Sequence, residues 1–426
     1  MSADQQPDVI LVGYGRSWLP HVRRLWGDVR VLFVVEPTVA RAWRVREYLA
    51  ADWPQHELYE LDYRRPLAAD LFHLWHPDLR PGAVVPIDDT GVVFAARLSE
   101  RLGIPGAGSS PAAILADKWR LRQLADAVGV GAPQWRVARS VADAVAFAEQ
   151  VGGEVVVKPS ARAGSSGVEI VADPADIPAA WDRLTRGLPD QGVGRPEPET
   201  YLVERRVVGA QYSTNTLVVD GEVRFENVTG AQVSRGRHPV PLTHVVAPDL
   251  PPTLSAELRD QSRQLIAATG FRTGFVHIEW IVENGTPQLI EGAGRLPGGL
   301  MVLLIGHAHL VDTMAEYLAA MAGQPVAPVG PRPPVRAAVG MTKDVPPGQV
   351  TAVTGVEAAR SRPGVLEVAV LVAEGDQVHE LVSLSHVAAR VAAVGETVEQ
   401  ASRAAGEALA AVEITTRPVE EVEAGT

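Results

Sequence analysis

Two carboxylates stand close together in an otherwise apolar stretch, FVHIEWIVENGTPQLIEGAGRLPGG, residues 275–299: Glu279 and Glu291. Acids brought face to face repel, and each then favours its protonated form. A hard divalent cation between them removes that penalty, and Mg²⁺ takes oxygen ligands. Two strands would hold them. FVHIEWIV is rich in Val, Ile and aromatic residues, Glu283-Asn284-Gly285 turns the chain, and PQLIEGAG returns. The hairpin predicts Glu279 opposite Glu291. His277, two residues before Glu279, points to the same sheet face. It orients the substrate or a metal ligand, or it is a satisfied core histidine. Arg295 and then Pro297-Gly298-Gly299 follow, a backbone with room for a ligand. The same residues also fit a solvated hairpin with two surface glutamates, so the rest of the chain must discriminate.

Upstream lie two lysines. Ala116-Asp117-Lys118-Trp119 opens a helix running to about Val128. Lys118 falls in its first turn, an unfavourable place for a cation near the helix dipole; a surface lysine paired with Asp117 is the plainer account. Val155–Pro159 reads as a buried strand carrying Lys158, followed by the small-residue loop 160–167, SARAGSSG, and a second strand. Small residues let backbone N–H groups approach an anion, and lysine adds a point charge. This is not a P-loop, because no GK[ST] occurs and the loop joins strand to strand. An ordinary flexible hairpin is the alternative. Next, 201–209 is an apolar strand arriving at a charged connector. Such a connector can read an adenine edge with backbone groups. A salt bridge between Glu204 and a neighbouring arginine is the plainer account. Gln211 follows, at the start of a further strand.

The elements around these groups are those of an α/β chain. Strands at 8–13, 30–36 and 83–87 alternate with helical stretches at 18–26 and 38–51, which implies a parallel sheet with helices on both faces. Gly13-Tyr14-Gly15 resembles the start of a dinucleotide fingerprint, but Trp18 stands where the third glycine belongs, which argues against a nicotinamide enzyme. Asp88 and Asp89 end a strand where ligands of such sheets bind; they contact substrate or cap the helix at 90–102. The 426 residues are too many for one ordinary core. A net charge of −12 without a Lys/Arg patch argues against nucleic acid, and the absence of Cys excludes thiolate sites and disulfides. No apolar run reaches membrane-spanning length and no basic leader precedes the first strand, so a soluble cytoplasmic protein is expected. The nine tryptophans either line a pocket or fill cores.

Taken in order, Lys118, Lys158 with its glycine-rich loop, the Glu204 connector, Glu279 and Glu291 make the chain similar to the ATP-grasp superfamily of carboxylate–amine ligases. His277-Ile278-Glu279 and Glu291-Gly292-Ala293-Gly294-Arg295 resemble the paired motifs of the L-amino-acid ligases, the dipeptide-forming branch that includes the bacilysin ligase. The C-terminal pieces 364–367 and 374–378 resemble the last domain of that branch. The resemblance implies mixed α/β and α+β architecture, the ATP-grasp fold. It implies an N-terminal parallel α/β domain (1–110), a small lobe with the lid loop (111–198), a large lobe with the metal site (199–328) and a small C-terminal α+β domain (329–426). It further implies that Lys118 and Lys158 bind the ATP phosphates, with Ser165, Ser166 and Gly167 as a lid. Leu202, Val203 and Glu204 would hold adenine. Glu279 and Glu291 would bind one or two Mg²⁺ ions, or Mn²⁺ in their place. Arg295 would stabilise the acyl-phosphate, with Lys158 also catalytic. There are two departures. Gln211 stands where a ribose-binding carboxylate is common, and an amide bonds a hydroxyl more weakly. Ala293 stands where many relatives carry an Asn metal ligand.

The implied enzyme is a ligase joining a small carboxylic acid, such as an amino acid, to an amine through an acyl-phosphate, with no nucleic acid or membrane partner and a homodimer left open. Formyl- or carboxy-phosphate chemistry and a silent ATP-binding protein are the rival readings. Residues 230–248 are too rich in Gly, Pro and polar residues for a regular element and are assigned to the substrate pocket. Arg235, Arg237 and His244 are its candidate carboxylate holders, with Gly298 and Gly299 beside them. Beyond the proline-rich 325–336, strand-like runs at 337–341, 364–371, 379–384 and 387–394 precede an Ala-rich helix at 397–412, a last strand at 413–416 and an acidic tail after Pro418 expected to be disordered.

Overall fold

A computed structural model describes residues 6–15, 18–186, 199–327, 330 and 332–418. The acidic tail beyond Pro418 lies outside them. The first unit is a parallel sheet of β1 (Val9–Val12), β2 (Val31–Val35), β3 (Glu57–Glu60) and β4 (Ala83–Pro86), ordered β3-β2-β1-β4. Its inner strands are continuous apolar runs because helices cover both faces. The expected helix at 38–51 is two helices, Pro37–Ala42 and Val45–Asp52, broken at Arg44, which takes a left-handed φ of 50°. Gly13, with φ +95°, ends β1 where an added Cβ would lie 2.4 Å from Asp88 Oδ2. The glycine turn makes room for that carboxylate. Trp18 is buried, packing edge-on against Tyr317 with ring centroids 6.2 Å apart.

The small lobe is an antiparallel sheet of β5 (Trp135–Ala138), β6 (Val155–Pro159), β7 (Glu169–Val171) and β8 (Tyr201–Arg205), ordered β5-β8-β6-β7. The helices Val141–Val151 and Ile177–Arg186 pack on it through Phe147, Ile177 and Leu184. The chain then crosses into the large lobe through Arg206–Gly209. An added Cβ at Gly209 would come within 2.0 Å of the Val282 carbonyl, so only glycine fits this crossing.

The large lobe contains β9 (Ala210–Val219), β10 (Glu222–Val233), β11 (Pro241–Val246), β12 (Gly274–Glu283) and β13 (Thr286–Ala293). Residues 230–248 are therefore not irregular as expected. β10 runs to Val233 and β11 starts at Pro241, with only 234–240 between them. Pro241 is accommodated at the strand start, where the register shifts beside Val233. Two helices follow the hairpin, Met301–His309 and Thr313–Met321, separated by Leu310 in the left-handed region.

The last quarter adds β14 (Ala337–Lys343), β15 (Gly348–Thr354), β16 (Val365–Val370), β17 (Gln377–Val378), β18 (Ala389–Gly395) and β19 (Glu413–Arg417). β14, β18 and β16 extend the large-lobe sheet into eight strands, β13-β12-β9-β10-β11-β14-β18-β16, while β17, β15 and β19 form a separate edge sheet. The Ala-rich helix Val398–Ala411, capped by Thr397, packs its alanines on β14 and β18. The strand expected at 379–384 is absent. That segment folds back, with the backbone N–H of Leu384 donating to the carbonyl of Gly164 across the cleft. Among the described residues, no helix is long and apolar enough to cross a membrane.

Candidate active site

The two glutamates meet as the hairpin requires. β12 and β13 pair antiparallel with Glu279 opposite Glu291. The register shifts just beyond this pair, where Ile290 of β13 is the extra, bulged residue. Each carboxylate is compensated locally. Lys118 Nζ sits 2.9 Å from Glu291 Oε2 and donates to the Arg162 carbonyl at 2.6 Å. Burial alone would push the Glu291 carboxyl up, but Lys118, then Lys158 and His277, hold it below the ordinary range. Glu279 Oε1 lies 3.2 Å from His277 Nε2, and Gln211 Nε2 donates to its Oε2 at 3.3 Å. His277 Nδ1 lies 2.8 Å from Asn215 Oδ1, so the ring is fixed from both sides and braces Glu279. Two hard oxygen donors on adjacent strands fit Mg²⁺. No group of three or more metal-binding side chains stands ready among the described residues. An ion here would complete its shell with phosphate and water oxygens, as Mg²⁺ commonly does.

Lys118 is held by its helix. Asp117 caps Lys118–Val128, accepting from the N–H groups of Trp119 and Arg120, which offsets the unfavourable dipole. Lys158 projects from β6 and pairs with Glu204 of β8 at 2.7 Å. Burial pulls Lys158 down to about 8, with Arg122 and Lys118 acting the same way and Glu204 only partly restoring it. Glu204 would be raised by burial, but Arg122 and Lys158 hold it ionised. Arg122 is fully buried, the large-lobe anchor of this cluster: its Nη2 donates to Glu204 Oε2 at 3.1 Å and to the Ile290 carbonyl at 2.8 Å. Sequence reading missed it. The signal was its position one turn after Lys118, on the face that carries Leu121 and Ala125.

Arg295 reaches across to the first sheet. Its Nη2 lies 2.5 Å from Asp89 Oδ2 and its Nη1 donates to the Leu296 carbonyl. Burial opposes the charge, but Asp89 and then Glu291 outweigh it, so the guanidinium stays cationic. Asp88 caps the turn at Thr90 and Gly91, and burial raises its carboxyl. Asp88 thus takes the capping role, whereas Asp89 pairs with Arg295 and neither aspartate lines the cleft.

These groups surround one cleft of about 690 Å³ between the lobes. Lys118, Lys158, Glu204, Gln211, Glu279 and Glu291 line it. So do His277, Arg295, His244, Gly298, Gly299 and Ser165. Leu202 and Val203 do not: both are fully buried within the small-lobe sheet, and the apolar wall is made by the connector, Val207 and Val208. Arg235 and Arg237 also stay outside, Arg237 lying 3.7 Å from Glu169 with its side chain 53% exposed. No tryptophan lines the cleft. The loop 160–167 is folded over it. Ser165, at φ 62°, donates its hydroxyl to the Pro239 carbonyl at 2.9 Å, and the N–H of Ile170 donates to the Arg237 carbonyl. Ser166 is buried beneath the loop, and Gly167 takes φ +72°. Arg162 forks onto Glu199 with both bonds at 2.6 Å.

Residues 151–303 match the ATP-grasp domain model, and residues 345–417 match the model of L-amino acid ligase C-terminal domain 2. Carnosine synthase 1 of Gallus gallus is 27% identical over 355 residues, covering 76% of this chain and 36% of that protein. The carbamoyl phosphate synthase large chain of Clavibacter sepedonicus is 29% identical over 224 residues, covering 50% of this chain and 19% of that protein. The chain spans about half or less of the length of the curated relatives it matches first, 56% in one case. Among solved structures, an L-amino acid ligase from Bacillus licheniformis superposes with a TM-score of 0.80 at 17% identity, covering 97% of this chain and 99% of that one.

Proposed function

Starting from a chain that carries an ATP-grasp domain and an L-amino acid ligase C-terminal domain on the ATP-grasp fold, we propose an ATP-dependent ligase that joins a carboxylic acid to an amine. The observation that carries this reading is the convergence of Lys118, Lys158, Glu279, Glu291 and Arg295 on one cleft. ATP is a substrate here, with its phosphates between Lys118 and Lys158 and its base against Val207 and Val208. Glu279 and Glu291 would hold Mg²⁺, which supplies charge neutralisation during phosphoryl transfer. Arg295, pinned by Asp89, holds the carboxylate that is to be activated. A carboxylate oxygen takes the γ-phosphoryl group and ADP leaves. The amine nitrogen then bonds to the acyl carbon, and phosphate departs with the electron pair of the broken C–O bond and takes up the proton that the nitrogen loses. The lid keeps water from the acyl-phosphate.

A phosphate-release screen of acids against amines with Mg-ATP, with products read by mass, tests this. Release that requires both an acid and an amine supports it. The match to a carbamoyl phosphate synthase favours a second reading, a carboxy-phosphate user; release with bicarbonate alone would select that one. Nucleotide binding with no release across the screen would leave a silent ATP-binding protein.

A further inference from the structure

The helix Ala68–Trp75 of the first unit is apolar on its inner and its outer face. Ala68, Ala69 and Phe72 turn inward and are buried in the core of that unit. Leu67, Leu71, Leu74 and Trp75 fall on the opposite face, at the spacing of one helical stripe, and are 68%, 39%, 69% and 56% exposed. A helix that is hydrophobic on all sides belongs in an interior, not at a surface. The stripe begins at a strained position. Leu67 precedes the first turn with φ 62°, a left-handed backbone unfavourable for leucine, and its side chain stands in solvent.

Four side chains so exposed leave on the order of 500 Å² of apolar surface in one patch. Paired with itself about a twofold axis, the patch would bury about 1,000 Å², the threshold of a specific interface before any flanking residue is counted. Charge points the same way. The helix carries no Lys or Arg and the chain stands at −12, so an anionic membrane surface or a nucleic acid has nothing to hold. The charged groups beside the stripe, Asp70, Arg97, Glu100 and Arg101, sum to zero and satisfy one another. Arg97 Nη2 lies 3.0 Å from Asp70 Oδ1 and its Nη1 lies 3.1 Å from Glu100 Oε2, while Arg101 also pairs with Asp70. A second copy brings the same neutral rim and is not repelled, whereas a charged partner finds no field to steer it. None of the four apolar residues lines the cleft, so the stripe can be covered without occupying it.

We propose that the outer face of the helix Ala68–Trp75 is a homodimer interface, formed by two copies of this chain about a twofold axis, with Leu71 and Leu74 at its centre. The helix Val92–Leu102 packs beside it, Phe72 meeting Phe94 with ring centroids 5.8 Å apart. The turn that opens this second helix carries Asp89, the partner of Arg295. The dimer face thus backs onto the helix that anchors one wall of the candidate site. The interface does not depend on the ligase reading.

Analytical ultracentrifugation of the full chain at micromolar concentration tests this. Wild type sediments as a dimer. The double variant Leu71→Glu with Leu74→Glu sediments as a monomer with an unchanged far-UV spectrum, because both side chains are exposed in the single chain. Leu371→Glu, at a 48% exposed leucine of the C-terminal quarter, stays dimeric. The chain has no cysteine, so Leu71→Cys and Leu74→Cys each introduce the only thiol. A twofold axis brings like residues together, so at least one of the two forms a disulfide-linked dimer on mild oxidation, and Leu371→Cys does not. A monomeric wild type overturns the proposal, including one that floats with lipid vesicles. So does a dimer that survives the double substitution, or one that neither central cysteine cross-links, since its interface then lies elsewhere. Should the double variant fail to fold, the cysteine variants decide alone: a cross-link at residue 71 or 74 supports the interface and its absence at both overturns it.

Discussion

In the proposed ligase Lys158 must be charged to neutralise a phosphate, yet burial brings it down to about 8. The sign follows directly: the cation is present below that pH and is lost as pH rises through it. KM for ATP is therefore expected to climb between pH 7 and pH 9, where the protonated fraction falls to about a tenth. Bound phosphate favours the cation, so the kcat profile should break at higher pH than kcat/KM. Glu204→Gln removes the anion that sustains the charge, and its break should come at lower pH than in wild type. Profiles that coincide would show that Glu204 does not set this titration. Glu291→Gln and Arg295→Ala should each lower phosphate release by at least about 100-fold while the far-UV spectrum is unchanged; full activity in either removes that residue from the site. The five charged groups at the reacting end were legible in sequence because Lys118 opens a helix, Lys158 lies near the end of a strand, Glu279 and Glu291 face each other across one hairpin, and Arg295 follows that hairpin. Arg122 was not, because its meaning comes from distant partners. It bonds Glu204 and Ile290, 82 and 168 residues along the chain.

Elements hold those groups through backbone positions that tolerate no side chain. At Gly209 the connector passes so close to β12 that Ala would drive its Cβ into the Val282 carbonyl. Backbone cannot yield cheaply, so Gly209→Ala should lower stability by about 2–4 kcal/mol and weaken nucleotide binding, read by a melting curve with and without ATP. A melting point unchanged by the substitution would show that the crossing is plastic. The lid gives a different signature. Gly167 has φ +72°, and a Cβ there would lie 3.0 Å from Arg162 Nη1. Gly167→Val should loosen the loop and let water reach the acyl-phosphate, so ADP forms without matching amide product. A ratio of ADP to amide that stays at the wild-type value would mean that something else excludes water. The hairpin of β12 and β13 was readable because its turn and alternation are local. β10 and β11 were not: their Gly and Pro content suggests a loop, and pairing with β9 and β14 overrides it. The break at Arg44 also escaped, since arginine does not announce a left-handed backbone.

At the scale of the molecule, the division between lobes and the last quarter of the chain is one of sequence more than of structure. The proline-rich run before residue 337 looks like a boundary, but β14 follows it straight into the large-lobe sheet and pairs with β11. Ala338 and Val339 of β14 are fully buried, and Leu304 of the helix Met301–His309 packs so tightly over Gly340 that a Cβ there would sit 2.9 Å from its methyl. A chain ending at residue 336 would leave β11 as an open edge and strip that helix of its floor. The lost burial is comparable with the whole stability of a typical domain, about 5–15 kcal/mol. Such a chain should therefore fail to fold cooperatively, appearing as insoluble or rapidly digested protein in limited proteolysis. It should bind no nucleotide, although every residue of the phosphate and glutamate sites is retained. A truncated protein that melts cooperatively and binds ATP would show instead that the sheet beyond β11 is an addition to a complete lobe. In that case the C-terminal strands would contribute Arg390 to the cleft without helping to hold the reacting groups in place.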